Sequence, residues 1–482
     1  MAIYRTASVL VVVLVRVSSV PSSSLTNSRT KTARGNVLIY GPIIRVSPHE
    51  VHIVDLEFLD TIYSSSKARN KDPWRVKTLD VAQSVGDSAD HELHRRRRAS
   101  LVPFFSKPAV SKIERVIKQK LYSLHDVFDV YKFEGRPINL CDLYFGFTQD
   151  IVKNYCFGHD EELISDMGRA KQARNQLTTF MMHSHINVHF GWINRTLRKL
   201  PAAMLKFASP GLYEFQSFAK KLFGLILLVL DEQNKTTANR SDGHAIPTLF
   251  HELRDSNLLP AGDKTATRLL NEAILIVTAG SESLHKSLFI IHYHLLDNPD
   301  VLRKLRAELR LVAIDASWND LERLPYLTAV IAEGNRLNFG LTGRNSRNAP
   351  HEDLKYGEYV IPAGTPMSTM SMFVNCNEEL YPDPWTFRPE RWLDGVANER
   401  RKFMMSFGKG ARRCLGVNLA HMIMYKTIAK VSTYNLDLYQ TDARDVIFLH
   451  EYMTAQPRLD SKGVRAVVKD TRYMDDCNKG FH

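Results

Sequence analysis

Cysteine is scarce in this sequence, and the cysteines present are not arranged as a structural framework. There are five in 482 residues, they lie far apart, and none of them forms a CxxC pair. Disulfide frameworks and zinc clusters need paired or closely spaced cysteines, so the pattern argues against both. Such cysteine usage fits a protein that folds in a reducing compartment.

A strip of basic residues interleaved with aromatic residues is also missing, although the chain is basic. Its formal net charge is +12 and its isoelectric point is about 9.3. A charge of this sign suits a nucleic acid, an anionic membrane surface or an acidic protein partner. Without the strip we predict no nucleic-acid partner. The densest basic run, the four arginines at residues 95–98, is interpreted as a solvated helix face.

No apolar run near the N-terminus is long enough to identify a membrane helix by itself. Residues 3–20 are mostly apolar, but the uninterrupted apolar stretch covers only residues 9–15. A membrane-spanning helix needs roughly 20 mostly apolar residues, whereas a signal peptide needs an apolar region of roughly 7–15. On local grounds, residues 1–20 are therefore either a signal peptide or a weak membrane anchor. Residues 21–36 are interpreted as a polar linker.

After residue 36 the sequence shows no internal repeat and no break in composition, so residues 37–482 are predicted to form one domain. Helical periodicity dominates from about residue 90 to residue 345. The segment 264–296 is apolar over much of its circumference and should run through the core. Further helices are predicted from Pro325 to about Leu337 and from near Cys414 onward.

Short strands flank the helical part of the chain. They are predicted at residues 37–40, 43–46, 51–54 and 359–361, where β-favouring residues are bounded by turn residues. The fold class is therefore mainly α with small β-sheets.

One loop just before the final helix concentrates constrained residues. Within ten positions it contains Phe407, Gly410, Arg412, Cys414 and Gly416. A cysteine near a helix N-terminus feels the positive end of the helix dipole, and neighbouring arginines favour the thiolate, which is the form that binds a metal. Glycines allow a tight turn and the close approach of a flat ligand. The alternative is a buried structural cysteine, which would not require the four other residues.

This loop resembles the haem-binding signature F-x-x-G-x-R-x-C-x-G of the cytochrome P450 family. The resemblance implies a cytochrome P450 fold that binds haem b, with Cys414 as the axial ligand of the iron. It also implies that Phe407, Gly410 and Gly416 shape the haem-binding loop and that Arg412 pairs with a haem propionate.

A second resemblance lies upstream and concerns the support of this loop. Glu333 and Arg336 match the E-x-x-R of the same family, and Arg391 matches its later P-E-R segment. Residues three apart share a helix face, so Glu333 and Arg336 can bond locally. The resemblance implies a structural network of the three residues; an ordinary surface ion pair is the alternative.

Further basic residues resemble positions that contact haem propionates in the family. His94 and Arg98 match the W/H-x-x-x-R of its third helix, and Arg347 matches a later position. A buried dianionic ligand needs such counter-charges. Solvated arginines are the alternative for each position.

Residues 279–283, in the long predicted core helix, resemble the oxygen-binding motif A/G-G-x-D/E-T of the family. Gly280 is expected to open the helix locally and make room for dioxygen, while Glu282 and Ser283 pass protons to it. The usual threonine is replaced by Ser283, which lacks the β-methyl group that restricts the threonine rotamer. We therefore expect less efficient proton delivery. An ordinary polar helix face is the alternative.

Taken together, the resemblance implies a haem-thiolate monooxygenase that inserts one oxygen atom of O2 into a small apolar substrate. Its electrons would come from NADPH through NADPH–cytochrome P450 reductase, an acidic partner suited to a basic surface. Residues 1–20 would then be a single-pass anchor on the cytosolic face of the endoplasmic reticulum membrane. Several segments are most similar to fungal members of secondary metabolism, which favours a terpenoid or alkaloid substrate.

Two other functions stay open from the sequence. A haem-thiolate isomerase or dehydratase would need no reductase, but such relatives tend to lose the acid–hydroxyl pair that this chain keeps in altered form. A catalytically impaired haem-binding protein is the other, since Ser283 and Asn335 depart from the usual residues. Reductase-dependent consumption of NADPH with a substrate separates the three.

Overall fold

A computed structural model describes residues 41–77, 81–182, 184–197, 199–231, 248–313 and 315–470. The predicted anchor, the linker and the strand at residues 37–40 lie outside the described residues. The helices described are α1 (Leu59–Ile62), α2 (His91–Leu101), α3 (Lys107–Ser111), α4 (Glu114–Glu134), α5 (Leu140–Phe157), α6 (Met167–Met182), α7 (Ser184–Leu197), α8 (Ala202–Ala208), α9 (Pro210–Asp231), α10 (Leu249–Asp255), α11 (Ala266–Asp297), α12 (Pro299–Leu309), α13 (Trp318–Leu321), α14 (Pro325–Asn338), α15 (Ser371–Asn375), α16 (Ala397–Phe403) and α17 (Val417–Val431).

Short strands form four small sheets in the described part of the chain. The strands are β1 (Ile43–Ser47), β2 (Glu50–Ile53), β3 (Asn70–Lys71), β4 (Ile138–Asn139), β5 (Arg347–Asn348), β6 (Leu354–Tyr356), β7 (Tyr359–Ile361), β8 (Met367–Ser368), β9 (Asn435–Leu438), β10 (His450–Tyr452), β11 (Thr454–Gln456) and β12 (Arg465–Asp470). The largest sheet has the order β1-β2-β8-β5-β3, in which β2 and β8 are parallel. The others are β4-β12-β9, β6-β7 and β10-β11. The fold is therefore mainly α with small sheets, as the sequence predicts.

Helix α11 lies at the centre of the helical part. It packs against α5, α9, α14 and α17, and most of its apolar side chains belong to the main hydrophobic core or pack against it. Its start is fixed by Thr265, whose hydroxyl accepts the backbone N–H of Arg268 at 3.3 Å. Pro299 opens α12 directly after it. The helix is long and apolar enough to cross a membrane, but 72% of its most apolar window is buried inside the protein, which identifies it as a core helix.

The helix and strand boundaries predicted from the sequence agree closely with the structure. The prediction that the four arginines at residues 95–98 form a solvated helix face is wrong in part. The long helix, the helix opened by Pro325 and the strands near residues 43, 51 and 359 are all present. The last helix begins at Val417 rather than near Cys414. Of the four consecutive arginines, Arg97 is buried and donates to the hydroxyl of Ser88 at 2.8 Å, so the run is not simply a solvated face.

Candidate functional site

Cys414 lies in the loop between α16 and α17 and has exposed surface. The backbone N–H of Cys414 donates to the carbonyl of Phe407 at 2.8 Å, which closes the loop on itself. Phe407 packs against the main core and lies edge-on to His421 at 5.3 Å. Cys414 is therefore held on a turn whose base is fixed in the core, while its own surface stays open.

Gly410 fixes the path of this loop, as the sequence predicts. Its φ of +71° lies in the left-handed region, and an added Cβ would lie 2.0 Å from the carbonyl oxygen of Tyr63. The next residue, Ala411, donates its N–H to Ser64 at 3.2 Å. Gly416 has an ordinary φ of −83°, and an added Cβ there would meet open space. Of these two glycines, Gly410 is the one that the protein's own backbone requires.

Burial and local donors act on the Cys414 thiol in opposite directions. The protein atoms packed around the thiol desolvate it and raise its pKa, whereas the backbone N–H of Gly416 and the charges of Arg98 and Arg413 lower it. Desolvation outweighs these groups, and the pKa stays above its ordinary value although the thiol has exposed surface. The helix N-terminus and Arg413 thus act in the direction that the sequence predicts, but they do not outweigh desolvation by themselves. A bound metal cation deprotonates a coordinating thiol outright, so the donor set suits a metal-bound thiolate.

A group of basic side chains, which we call the basic cluster, lies close together near this loop: Lys71, His94, Arg98, Arg347 and Arg412. Burial lowers the pKa of His94 to about 2, and the charges of the other four members lower it further, so His94 is uncharged at neutral pH. Burial also lowers the pKa of Lys71 to about 7, with help from Arg347 and Arg412. The charged forms of His94 and Lys71 are thus penalised by the neighbouring arginines, and an anion placed among these side chains would be favoured.

Arg412 is already tightly held on one side. Its two terminal nitrogens donate to the carbonyls of Ser88, Ala89 and Asp90 at 2.6–3.1 Å. Its Nε is buried and has no partner among the described residues. Burial, followed by the charge of Arg347, lowers the pKa of Arg412 to about 9. The carbonyls fix the guanidinium in place, but they are neutral groups and do not balance its positive charge.

These residues fit haem b. The group carries two carboxylates and an iron that accepts a thiolate, and the structure brings buried and half-buried basic side chains close enough to Cys414 for Arg98 to act on its pKa. His94 and Arg98 lie on α2, Arg347 on β5 and Arg412 in the cysteine loop. Four sequence-predicted residues from three parts of the chain therefore meet at one place.

Glu333 is the centre of a second, fully buried network. One carboxylate oxygen accepts Arg336 Nη2 at 2.8 Å and Arg391 Nε at 3.0 Å. The other accepts Arg336 Nε and the indole Nε1 of Trp392, both at 2.9 Å. The backbone N–H of Arg388 completes the set at 3.0 Å. The carboxylate and both guanidiniums are almost without exposed surface, so this is no ordinary surface pair.

Asn375 connects this network to the cysteine loop. It accepts Arg336 Nη1 through its carbonyl at 2.9 Å, and its side-chain amide donates to the Arg336 carbonyl at 3.1 Å. The same side chain accepts the N–H of Met405 at 3.0 Å and donates to Ser406 at 3.2 Å. The network therefore supports the start of the loop through one intervening residue.

An open stripe runs along the middle of α11. Ala279 and Ser283 are exposed, and Leu275, Ile276 and Gly280 are half-buried, although the residues around them are buried. Residues four apart lie on the same face of a helix, so these five form one continuous surface. The Ser283 hydroxyl donates to the carbonyl of Ala279 at 2.8 Å. The stripe is mostly apolar, with one hydroxyl.

Gly280 does not open the helix, which corrects the expectation from the sequence. Helix α11 is continuous from Ala266 to Asp297. An added Cβ at Gly280 would lie 2.9 Å from Val152 Cγ2 on α5. The glycine is needed because the two helices pack closely there, which sets the position of the stripe relative to α5.

Glu282 points away from Ser283 in this structure. Its Oε1 pairs with Lys286 Nζ at 2.8 Å and accepts the Thr454 hydroxyl at 3.3 Å. Burial would raise the pKa of Glu282, but Lys286, His285 and Arg174 outweigh it and hold the pKa below its ordinary value. The sequence predicts Glu282 as a proton donor but not its partner Lys286, although spacing of four residues on a helix is a usable signal for such a pair.

Lys71 and Asn375 were also missed. Lys71 joins the basic cluster because β3 pairs with β5 and places it opposite Arg347. No local sequence pattern marks either residue, since both act through contacts with distant parts of the chain.

An accessible loop thiol, the basic cluster near it and a supporting carboxylate network together define a haem-thiolate protein. The chain belongs to the cytochrome P450 family, since the family model for cytochrome P450 matches residues 37–459. It is 35% identical to cytochrome P450 monooxygenase MO6277 of Ascocoryne sarcoides over 446 residues, which are 89% of this chain and 86% of that protein. It is 34% identical to cytochrome P450 monooxygenase tpcC of Cochliobolus heterostrophus, with 89% and 85% covered.

A solved structure shares the fold. The crystal structure of a cytochrome P450, CYP102L1, superposes with a TM-score of 0.71 at 18% identity and covers 92% of this chain and 98% of its own. The resemblance to fungal cytochromes P450, the fold and the dependence on haem b are thereby confirmed. The protein is a haem-thiolate monooxygenase that uses O2, a small substrate and electrons from a redox partner.

Proposed function

We propose that Cys414 is the axial ligand of the haem iron and that the basic cluster holds the haem propionates. The observation that carries this assignment is the geometry of the cysteine loop, in which Cys414 lies two residues from Arg412, whose guanidinium is fixed by three carbonyls while its buried Nε has no hydrogen-bond partner among the described residues. Thiolate-ligated haem, when bound, supplies the activation of O2. Arg98, Arg347 and Arg412 would pair with its carboxylates, and His94, which burial keeps uncharged, would donate a hydrogen bond to one of them.

We propose that the substrate is a small apolar metabolite of fungal secondary metabolism, such as a terpenoid or an alkaloid. Support comes from the open stripe on α11, whose residues other than Ser283 are Leu275, Ile276, Gly280 and Ala279. Support also comes from the fungal relatives. The test is a screen of metabolite extracts for compounds that shift the haem Soret band of the purified protein. If only strongly polar or charged compounds shift the band, the assignment of an apolar substrate is contradicted.

The electrons are proposed to come from NADPH through NADPH–cytochrome P450 reductase. Arg401, Lys402 and Arg413 are exposed, and Lys409 Nζ donates to the Lys402 carbonyl at 2.7 Å, which places the first two near the cysteine loop. A basic surface there would attract an acidic partner. Substrate-dependent NADPH consumption with the reductase is expected. Product formed without reductase would indicate an isomerase or dehydratase, and no product would indicate an impaired protein.

The N-terminus is proposed to anchor residues 37–482, the single monooxygenase domain, to the cytosolic face of the endoplasmic reticulum membrane. Residues 1–20 would be an uncleaved single-pass segment and residues 21–36 its linker. We expect the full chain to sediment with membranes after an alkaline wash, and deletion of residues 1–20 to weaken this association. A secreted product that begins near Val20 and is glycosylated at Asn194 would contradict both the topology and the reductase partnership.

Ser283 is proposed to position protons at the oxygen-binding site. Ser283→Ala should raise the fraction of NADPH that ends in hydrogen peroxide, because a hydroxyl on the open stripe is lost. Ser283→Thr should lower that fraction if the added methyl group fits. NADPH loss, peroxide and product are measured in parallel.

A matched control for Ser283 is available on the same helix. Ser281 makes the equivalent bond to the carbonyl four residues earlier, Val277, at 2.8 Å, but it is fully buried. Ser281→Ala should therefore leave the peroxide fraction unchanged. If Ser283→Ala matches the parent protein in all three measurements, Ser283 has no part in proton delivery.

A further inference from the structure

Glu282 and Lys286 form a buried ion pair that ties α11 to the hairpin of β10 and β11. Lys286 Nζ lies 2.8 Å from Glu282 Oε1, and it also donates to the Thr454 hydroxyl at 2.6 Å and the Ala455 carbonyl at 2.9 Å. Both side chains are nearly without exposed surface. Glu282 Oε2 is buried and has no hydrogen-bond partner among the described residues.

Moving a proton from Lys286 to Glu282 costs less in this environment than in water. Burial penalises both charged forms, whereas the neutral acid and the neutral amine carry little desolvation penalty. The two groups therefore titrate as one unit, and its proton rests on Lys286, because Lys286 holds the pKa of Glu282 below its ordinary value. Burial also lowers the pKa of Lys286 from its ordinary value, which favours loss of its proton. The distance of 2.8 Å allows direct transfer along one hydrogen bond.

The ionic form of the pair keeps Glu282 away from Ser283. Attraction between opposite charges is strong at low dielectric and holds the carboxylate against Lys286. Once the proton has moved from Nζ to Oε1, both groups are neutral and this attraction is lost. The carboxyl group is then free to turn towards the neighbouring Ser283 and the open stripe.

We propose that Lys286 is the source of the proton that Glu282 passes to the oxygen-binding site. The proton leaves Lys286 Nζ and binds Glu282 Oε1, which leaves a neutral amine and a neutral carboxylic acid. Glu282 then gives up that proton at the stripe and returns as a carboxylate, and Lys286 regains a proton from solvent. This proposal rests on the proposed role of the stripe and makes Lys286 a residue that acts through Glu282.

Lysine-to-arginine exchange separates proton supply from simple positioning. Arginine keeps the positive charge and can keep the ion pair with Glu282, but it does not give up its proton in proteins. If Lys286 only positions Glu282, Lys286→Arg should behave like the parent protein. If it supplies the proton, the variant should bind haem normally yet lose product per NADPH by about tenfold, the remainder being carried by water. The solvent isotope effect on turnover should also increase.

Lys426→Arg is the matched control. Lys426 is buried on α17, pairs with Glu114 at 3.0 Å and donates to the Ala316 carbonyl at 2.8 Å. Its exchange introduces the same extra volume at a buried ion pair outside the relay. Product per NADPH and the isotope effect should stay at the parental values. A Lys286→Arg protein that keeps the parental coupling would overturn the proposal.

Infrared spectroscopy tests the shared proton without turnover. In Lys286→Met the buried Glu282 has lost its counter-charge and should take up a proton, so the C=O stretch of a carboxylic acid should appear at neutral pH. That band should vanish in Lys286→Met/Glu282→Gln and be missing from Lys286→Arg. Absence of the band from Lys286→Met would overturn the proposal. This test also decides the case if Lys286→Arg fails to fold, and a parent protein without a thiolate-haem spectrum would instead contradict the proposed function.

Discussion

Replacing Cys414 with histidine is expected to abolish the long-wavelength Soret band that thiolate-ligated haem shows in its reduced carbonyl complex. The reason is that the sulfur donates electron density to the iron, and an imidazole nitrogen does not reproduce this effect. The loop should tolerate the larger side chain, because Cys414 has exposed surface and the backbone bond to Phe407 that closes the loop does not depend on the side chain. Product formation should be lost together with the band.

The control for this variant is Cys376→Ser. Cys376 is half-buried at the end of α15 and is not part of the cysteine loop. Its replacement should leave the reduced carbonyl spectrum and product formation unchanged. Spectra of the two variants and the parent protein are recorded at equal haem content. A long-wavelength band that persists in Cys414→His would show that another residue ligates the iron.

Glu333→Ala should prevent stable incorporation of haem. The change removes the counter-charge of two buried guanidiniums, Arg336 and Arg391, which then remain in a site without exposed surface. Breaking a buried pair in this way costs roughly 3–5 kcal/mol. The loss should reach the cysteine loop through Asn375, which bonds to Arg336 and to the loop residue Ser406. Haem content and the free energy of unfolding are measured.

A control with the same sequence spacing is Asp300→Ala. Asp300 and Arg303 form an ion pair three residues apart on α12, but both are largely exposed, so the loss should stay within about 1 kcal/mol. Normal haem content in Glu333→Ala would contradict the structural role of the network.

The same network predicts a direction for the effect of acid. Burial would raise the pKa of Glu333, but Arg336 and Arg391 outweigh it and hold the pKa below its ordinary value. The stabilisation is then fully present above the pKa of the unfolded chain, about 4.3, and is lost as the pH falls through the lower folded value. As the pH falls through this range, the free energy of unfolding of Glu333→Ala should therefore decrease less than that of the parent protein.

Local features could be predicted from the sequence because their causes lie within a few residues. The extent of α11 follows from its apolar periodicity, and Pro299 and Pro325 mark the starts of the next long helices. The pairing of Glu333 with Arg336 follows from their spacing on one helix face. The left-handed turn at Gly410 follows from the residue type.

The roles of several residues were decided by contacts between distant parts of the chain. The sequence suggested that Gly280 opens its helix, yet the glycine is required by the approach of Val152 from α5. It also suggested that Glu282 lies ready to pass protons with Ser283, whereas Thr454 and Lys286 hold that carboxylate in the interior. Val152 and Thr454 lie on other elements than α11, so neither of them can be identified from local spacing.

The sequence by itself determined the fold class, the order of the helices and the residues of the cysteine loop, since periodicity, caps and a dense motif are local properties. Only the tertiary structure decided which charges face one another. Lys71 from β3, Arg98 from α2, Arg347 from β5 and Arg412 from the loop meet in the basic cluster because the strands pair and the loop packs back on the chain. The physical reason is that electrostatic interactions depend on distance in space and on burial, and neither is encoded in separation along the chain.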